Sequence, residues 1–300
     1  MTMTDAEIAS LSDQFVHESI ERQELPPAVL EALKRSMLGR ALMAASGTFL
    51  TGMNTYVLKL GPANLGADAS PIDRAIAASF PAVMTRIRLQ DMARLLADGV
   101  TAALADTPRR PLSFVNIGGG PAADSWNALI DLRAERPELL ANRPIAITVL
   151  DLDDHGPAFG ARAIHALCAP GAPLSGLQIG ITHLPYQWSD AGRLRSALDD
   201  LRVVETMCAI SSEGALFEYG SDIEIISNLE TLQAGTARDA IVVGSVTRDG
   251  EATRSLPTRD HAATRPRTLA AFRSLAEQAG WILQCGIERP FSYNVRLVKA

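Results

Sequence analysis

Short apolar runs alternate with helix-period patterns through the C-terminal two thirds of the chain, whereas the N-terminal third carries helix-period patterns alone. Asp5 to Arg22 and Pro27 to Ala45 place Ile8, Leu11 and Phe15, then Leu30, Leu33, Met37 and Leu38, at helical spacing. Pro26 and Pro27 separate the two helices, and Pro27 suits a first helical position because it has no N–H to leave unsatisfied. Ser46 to Tyr56 mixes small and aromatic residues and predicts a turn or irregular segment. Helical patterns resume over Ile72 to Ala78 and Val83 to Ala105, the second amphipathic through Ile87, Met92, Leu95 and Leu96. Thr107-Pro108-Arg109-Arg110-Pro111 breaks that pattern and divides a helical region, 1–110, from a second region, 111–300.

Beyond the break, the run Phe114-Val115-Asn116-Ile117 stops at Gly118-Gly119-Gly120-Pro121-Ala122, and a helix follows over Ser125 to Leu140. Strands are predicted over Ile145 to Leu150, Leu177 to Thr182, Val203 to Ile210 and Ala240 to Val246, with helices Ala158 to Ala169, Asp190 to Leu201 and Ser221 to Gln233 between them. Strands that alternate with helices build a parallel sheet covered on both faces. After a last helix, Arg267 to Ala279, strands Trp281 to Ile287 and Phe291 to Val298 follow with only Glu288-Arg289-Pro290 between them. That gap is too short for a helical crossover, so the two are antiparallel. The expected architecture is α/β: a Rossmann-like doubly wound sheet with a C-terminal antiparallel strand pair, preceded by an N-terminal helical region.

Composition narrows the partners. A formal charge of −6 leaves no electrostatic footprint for a nucleic-acid backbone or an anionic membrane, so a small molecule is expected. No apolar run approaches the roughly 20 residues of a membrane helix. Met1 to Glu24 lacks the basic-then-apolar order of a secretory signal, and a cytoplasmic protein is expected. Cys168, Cys208 and Cys285 are widely spaced, as buried free thiols are, and no histidine or acidic residue falls into a metal-ligand spacing.

The glycine turn carries the chemistry. Glycine permits positive φ and lets a ligand lie against the main chain, so a strand–turn–helix with three glycines predicts a nucleotide-like ligand. An aspartate at the end of the next strand, Asp151, offers an acceptor that two vicinal ribose hydroxyls can share. A nicotinamide fingerprint would place a glycine at Ala123 and its acidic residue about 20 residues on, nearer than Asp151.

With these features and the terminal strand pair, residues 112–300 resemble the class I S-adenosylmethionine-dependent methyltransferases. Ala122 stands where the third glycine of that family's turn is usual. The resemblance implies S-adenosyl-L-methionine as cofactor, with Asn116, Gly118, Gly119, Gly120 and Pro121 beside its methionine part. Asp151 would bind the ribose, with Leu152 adjacent and Asp153 as a second candidate. The adenine-contacting position after the third strand falls at Thr182-His183 rather than on an acidic residue, with Tyr186 and Trp188 close behind. His183 is thus a candidate for adenine, substrate or proton transfer.

The family places its methyl acceptor at the end of the fourth strand, here Ser211 to Gly220. Methyl transfer needs alignment and, for a hydroxyl or ammonium acceptor, loss of a proton. Glu213 is the first candidate for base or orienting group, ahead of His183 and Tyr219, while Ser221 and Asp222 read as helix caps. The expected activity is methylation of a small acceptor, with oxygen of a specialised metabolite as the leading form. The N-terminal helices would cover the substrate or join two subunits of a homodimer. A nicotinamide-dependent oxidoreductase and a methyltransferase-like binding protein without turnover stay open as alternatives.

Overall fold

The computed structural model describes residues 3–21, 26–45, 49–203, 206–256 and 263–300. Six helices come first: α1 (Asp5–Glu21), α2 (Pro27–Arg35), α3 (Met37–Ala44), α4 (Gly52–Lys59), α5 (Pro71–Ala78) and α6 (Phe80–Asp106). Two expectations need correction here. The helix expected from Pro27 to Ala45 is broken at Ser36, which is extended at φ −86° and ψ 155° and caps α3 by accepting the Gly39 N–H. The stretch expected to be irregular contains α4, whose first turn is capped by the Thr51 hydroxyl. An eight-residue helix has little stability of its own, so packing, which local pattern does not report, decides that it forms. Ser46, Gly47 and Thr48, part of that expectation, lie outside the described residues.

The remaining elements alternate: β1 (Leu112–Ile117), α7 (Ala123–Glu135), β2 (Ile145–Asp151), α8 (His155–Leu167), β3 (Ile179–Pro185), α9 (Ala191–Val203), β4 (Met207–Ser212), α10 (Leu216–Tyr219), α11 (Asp222–Gly235), β5 (Ile241–Thr247), α12 (Glu251–Arg254), α13 (Leu269–Gln278), β6 (Trp281–Glu288) and β7 (Ser292–Lys299). They form one seven-stranded sheet of order β3-β2-β1-β4-β5-β7-β6. The first five strands are parallel, and β7 enters antiparallel between β5 and β6. The terminal strand pair is therefore present as expected. Two strand positions shift: β3 starts two residues later than expected and runs on to Pro185, and β4 starts at Met207 rather than near Val203. Apolar Leu177 misled the first of these, because it packs on the core from the loop before β3.

Every residue of β1, β4 and β5 is buried, which marks them as the centre of the sheet. Alternation sends Phe114 to one face, with α6, α7 and α8, and Val115 to the other, with α9, α11 and α13. The break at 107–111 separates α6 from β1 in sequence, but Met92, Leu96, Val100 and Leu104 of α6 share the first of these cores. Asp91 of α6 also takes two hydrogen bonds from Arg289, at 2.8 and 2.9 Å, and one from the Asn294 amide at 2.9 Å. The helical region is thus fastened to the terminal strand pair by a half-buried ion pair.

Candidate active site

Chain order reverses between β1 and β4, so loops at their C-terminal ends diverge and leave a cleft, where ligands of open α/β sheets collect. The glycine turn forms its floor. Gly118 and Gly120 have φ of +64° and +49°, and Ala122 is itself left-handed at +60°. A side chain on Gly119 would strike Asn116 at 2.3 Å, so the turn lies tightly on the strand beneath it. Asn116 is fully buried and engaged there. Its amide donates to Asp124 Oδ1 at 2.7 Å and Ser211 Oγ at 2.6 Å, and its Oδ1 accepts from Ser125 Oγ at 3.0 Å. Asn116 therefore supports the turn from below instead of facing the cleft.

Asp151 ends β2 beside the turn, where Oδ2 accepts the Gly120 N–H at 2.8 Å and Oδ1 the Asp153 N–H at 3.0 Å. Burial raises its pKa above the ordinary carboxylate value, against the pull of those two donors. The carboxylate keeps acceptor positions beyond the two bonds it makes. Leu152 points into solvent, and Asp153 is turned to the His155 N–H. His183 is a further correction: it lies within β3, opposite Val149, and its Nε2–H donates to the Asp151 carbonyl at 2.9 Å. It holds the end of β2 and is not among the residues that line the cleft.

Glu213 and Tyr219 do reach the cleft, together with Gly118, Gly119, Pro121, Asp151, Trp188 and a wall from residues 49–59. Trp188 is placed by the loop after β3, which Asn228 of α11 fastens by donating to the Trp188 carbonyl at 2.7 Å and accepting the Tyr186 hydroxyl. Tyr219 packs edge-on against Phe49 with ring centroids 6.0 Å apart. Its phenol is pushed up by burial and by the Glu218 charge, so it stays protonated.

Glu213 sits in a charged cluster that the sequence did not disclose. Lys59 of α4 pairs with its Oε2, and Arg88 of α6 donates to its Oε1 at 2.6 Å. Arg88 also reaches Glu218 at 2.8 Å, and Glu218 accepts the Ser245 hydroxyl at 2.6 Å. Burial acts to raise the Glu213 pKa, but the two cations outweigh it and hold the carboxyl at about 2. A carboxyl held ionised by two cations is a weak proton acceptor near neutral pH, so of its two expected roles the surroundings suit the orienting one better than the base. Lys59 and Arg88 were missed because their partner lies 154 and 125 residues away in the chain. The capping expectation for Ser221 fares differently: Ser221 and Glu224 form a reciprocal capping box on α11.

Among the described residues, Asp153, Asp154 and His155 bring ligand-type atoms within 4.8 Å of one another, all exposed or half-buried and without a further donor. No helix of the described residues is long and apolar enough to cross a membrane. The donor set of the cleft fits a nucleoside linked to an amino acid: a turn with bare backbone, a strand-end carboxylate, an aromatic wall and buried charges of both signs.

No family model matches the chain, and no curated protein matches it by sequence. Solved structures do match. A possible exported protein from Bordetella parapertussis has a TM-score of 0.63 at 19% identity, over 99% of this chain and 97% of that one. Magnesium protoporphyrin IX methyltransferase from Synechocystis PCC 6803, solved with bound SAH, has a TM-score of 0.51 at 12% identity, over 83% of this chain and 95% of that one. At such identities the likeness is one of fold. Together with the strand order and the inserted β7, it gives the chain the fold of the class I S-adenosylmethionine-dependent methyltransferases.

Proposed function

We propose that the protein transfers a methyl group from S-adenosyl-L-methionine to a small acceptor, with oxygen as the atom methylated. One observation carries this reading: the strand-end carboxylate of Asp151 and the glycine turn meet at the reversal point of the sheet, in a cleft that also holds Trp188 and Tyr219. The cofactor would supply a methyl group on a positively charged sulfur, ready for in-line displacement. Asp151 would accept from both ribose hydroxyls, and the bare backbone of Gly118 and Gly119 would take the methionine part. That part carries a carboxylate and an ammonium, and the cleft offers one group of each sign to match them, Lys59 and Glu213.

The same geometry bears on the acceptor. Phe49, Leu50, Tyr56, Trp188 and Tyr219 favour an apolar, flat molecule over a sugar or a peptide. Neither candidate base that lines the cleft suits proton removal near neutral pH, since Glu213 is held ionised and Tyr219 protonated. Rate enhancement then rests on alignment and on exclusion of water, and the acceptor's own acidity sets the pH dependence.

Calorimetry with S-adenosylmethionine, S-adenosylhomocysteine and NAD tests the reading. Both sulfur compounds should bind and NAD should give no heat. The reverse pattern would establish the oxidoreductase alternative, and cofactor binding without turnover on any acceptor the binding-protein one.

A further inference from the structure

A nucleoside–amino acid ligand needs a cavity of roughly 300 Å³ or more, yet the cleft encloses only about 70 Å³. The room is taken by α4 and the two residues before its cap: Phe49, Leu50, Gly52, Thr55, Tyr56 and Lys59 make the outer wall. At the start of α4, Gly52 rests directly on the glycine turn. A Cβ added at Gly52 would lie 2.5 Å from Gly120 Cα and 3.7 Å from Asp151 Oδ2. The helix therefore covers the backbone and the carboxylate assigned to the cofactor. At its other end, the ammonium of Lys59 pairs with Glu213, and both side chains are less than a tenth exposed.

Between these two points Leu58 is the fully buried residue of α4 and Tyr56 packs on Trp126 and Phe159, with ring centroids 5.9 and 5.1 Å apart, so lifting the helix must also part Tyr56 from those rings. Breaking the pair at Lys59 would not strand Glu213, because Arg88 keeps its 2.6 Å hydrogen bond to the other carboxylate oxygen. Lys59 also lines a second groove of about 500 Å³ beside α6 and α7, whose lining includes Gln90, Asn127 and Asp131 as well as Arg86. A buried ion pair usually resists opening because each partner is left uncompensated. Here Glu213 keeps Arg88, and Lys59 borders an open groove.

We propose that α4 is a gate over the cofactor site and Lys59 its latch: the cofactor enters when α4 lifts from the glycine turn and Lys59 leaves Glu213. This deepens the proposed function and rests on it. Loading would then exchange one pairing for two, with the cofactor's ammonium on Glu213 and its carboxylate within reach of Lys59.

The experiment pairs stopped-flow binding of S-adenosylhomocysteine, followed by tryptophan fluorescence, with hydrogen–deuterium exchange of the free protein. For wild type, the observed rate should level off with ligand concentration at the opening rate of α4. Lys59→Met should raise that plateau about tenfold or more, less than for a pair whose partner is left stranded, because Arg88 still holds Glu213. Gly52→Ala should do the same by driving α4 off Gly120, and it carries the test if Lys59→Met does not fold. In both variants amides of 52–59 should exchange faster while those of β1 and α7 are unchanged. A rate linear in ligand and equal in all three proteins, or unaltered exchange over 52–59, would overturn the gate. If none of the three proteins binds the ligand, the cofactor reading fails, and exchange in the free protein still decides whether Lys59 latches α4.

Discussion

Two buried carboxylates, Glu213 and Asp124, are driven in opposite directions by their surroundings. Burial raises Asp124, the Ser211 hydroxyl opposes, and the Glu213 charge adds to the rise, to about 6. Its Oδ2 is buried and has no hydrogen-bond partner. For Glu213 the cations win, and the folded value of about 2 lies below its ordinary 4.5. Linkage fixes the signs. Glu213 stabilises the fold above its ordinary value and loses that contribution as pH falls toward 2. Asp124 favours the fold below its ordinary 3.8, and this is lost as pH rises through about 6. At about 1.36 kcal/mol per pH unit, each is worth on the order of 3 kcal/mol. Thermal melts against pH should show wild type losing stability from 3.8 to about 6, and Asp124→Asn should flatten that interval. An unchanged slope would remove Asp124 as its source. Asp151 makes the other prediction at this scale. Asp151→Ala should weaken S-adenosylhomocysteine by about 10- to 100-fold, the loss of hydrogen bonds to a charged group. Equal affinity by calorimetry would take the ribose away from Asp151.

Among the elements, α6 does the most to join the two regions. It is 27 residues long, shares a core with β1 and β2, supplies Arg88 to the charged cluster, and anchors the terminal strands through Asp91. Asp91→Ala leaves Arg289, only 17% exposed, with Asp5 as its remaining acidic partner. Removing one member of such a pair costs about 3–5 kcal/mol. Urea denaturation should register that loss, and a change below about 1 kcal/mol would class the pair with exposed surface ion pairs. α4 stands at the opposite extreme. It is short, carries one fully buried residue, and is held by a glycine contact at one end, an ion pair at the other and the Tyr56 ring against Trp126 and Phe159 between them. Stability is distributed unevenly across a fold, and elements that move are drawn from its weaker end.

For the whole molecule, a ligand that binds the native state alone stabilises it by mass action. S-adenosylhomocysteine at one hundred times its Kd should add about 2.7 kcal/mol, a rise of several degrees in Tm, while NAD leaves Tm unchanged. A shift with NAD instead would favour the oxidoreductase alternative. The three-layer arrangement also limits where function can sit. With both faces of the sheet covered by helices, the C-terminal edge of β1, β2 and β4 is the open ground, and there the chain places its glycine turn, Asp151 and Glu213.

Sequence by itself determined the features that are local. The strand ending in three glycines, the aspartate closing the next strand, the β–α alternation and the close-spaced terminal strands all follow from hydrophobic period and backbone freedom within a few residues. What depends on partners far along the chain was decided only in three dimensions. Ser36 splits a helix whose apolar spacing runs on unbroken, because its hydroxyl caps better than its backbone continues. His183 moves from loop into strand because pairing with β2 extends β3 to Pro185. Glu213 is an anchored anion because Lys59 and Arg88, distant in sequence, converge on it in an interior where charges must be matched. The closure of α4 over the glycine turn belongs to the same class, since no local pattern records that Gly52 and Gly120 touch.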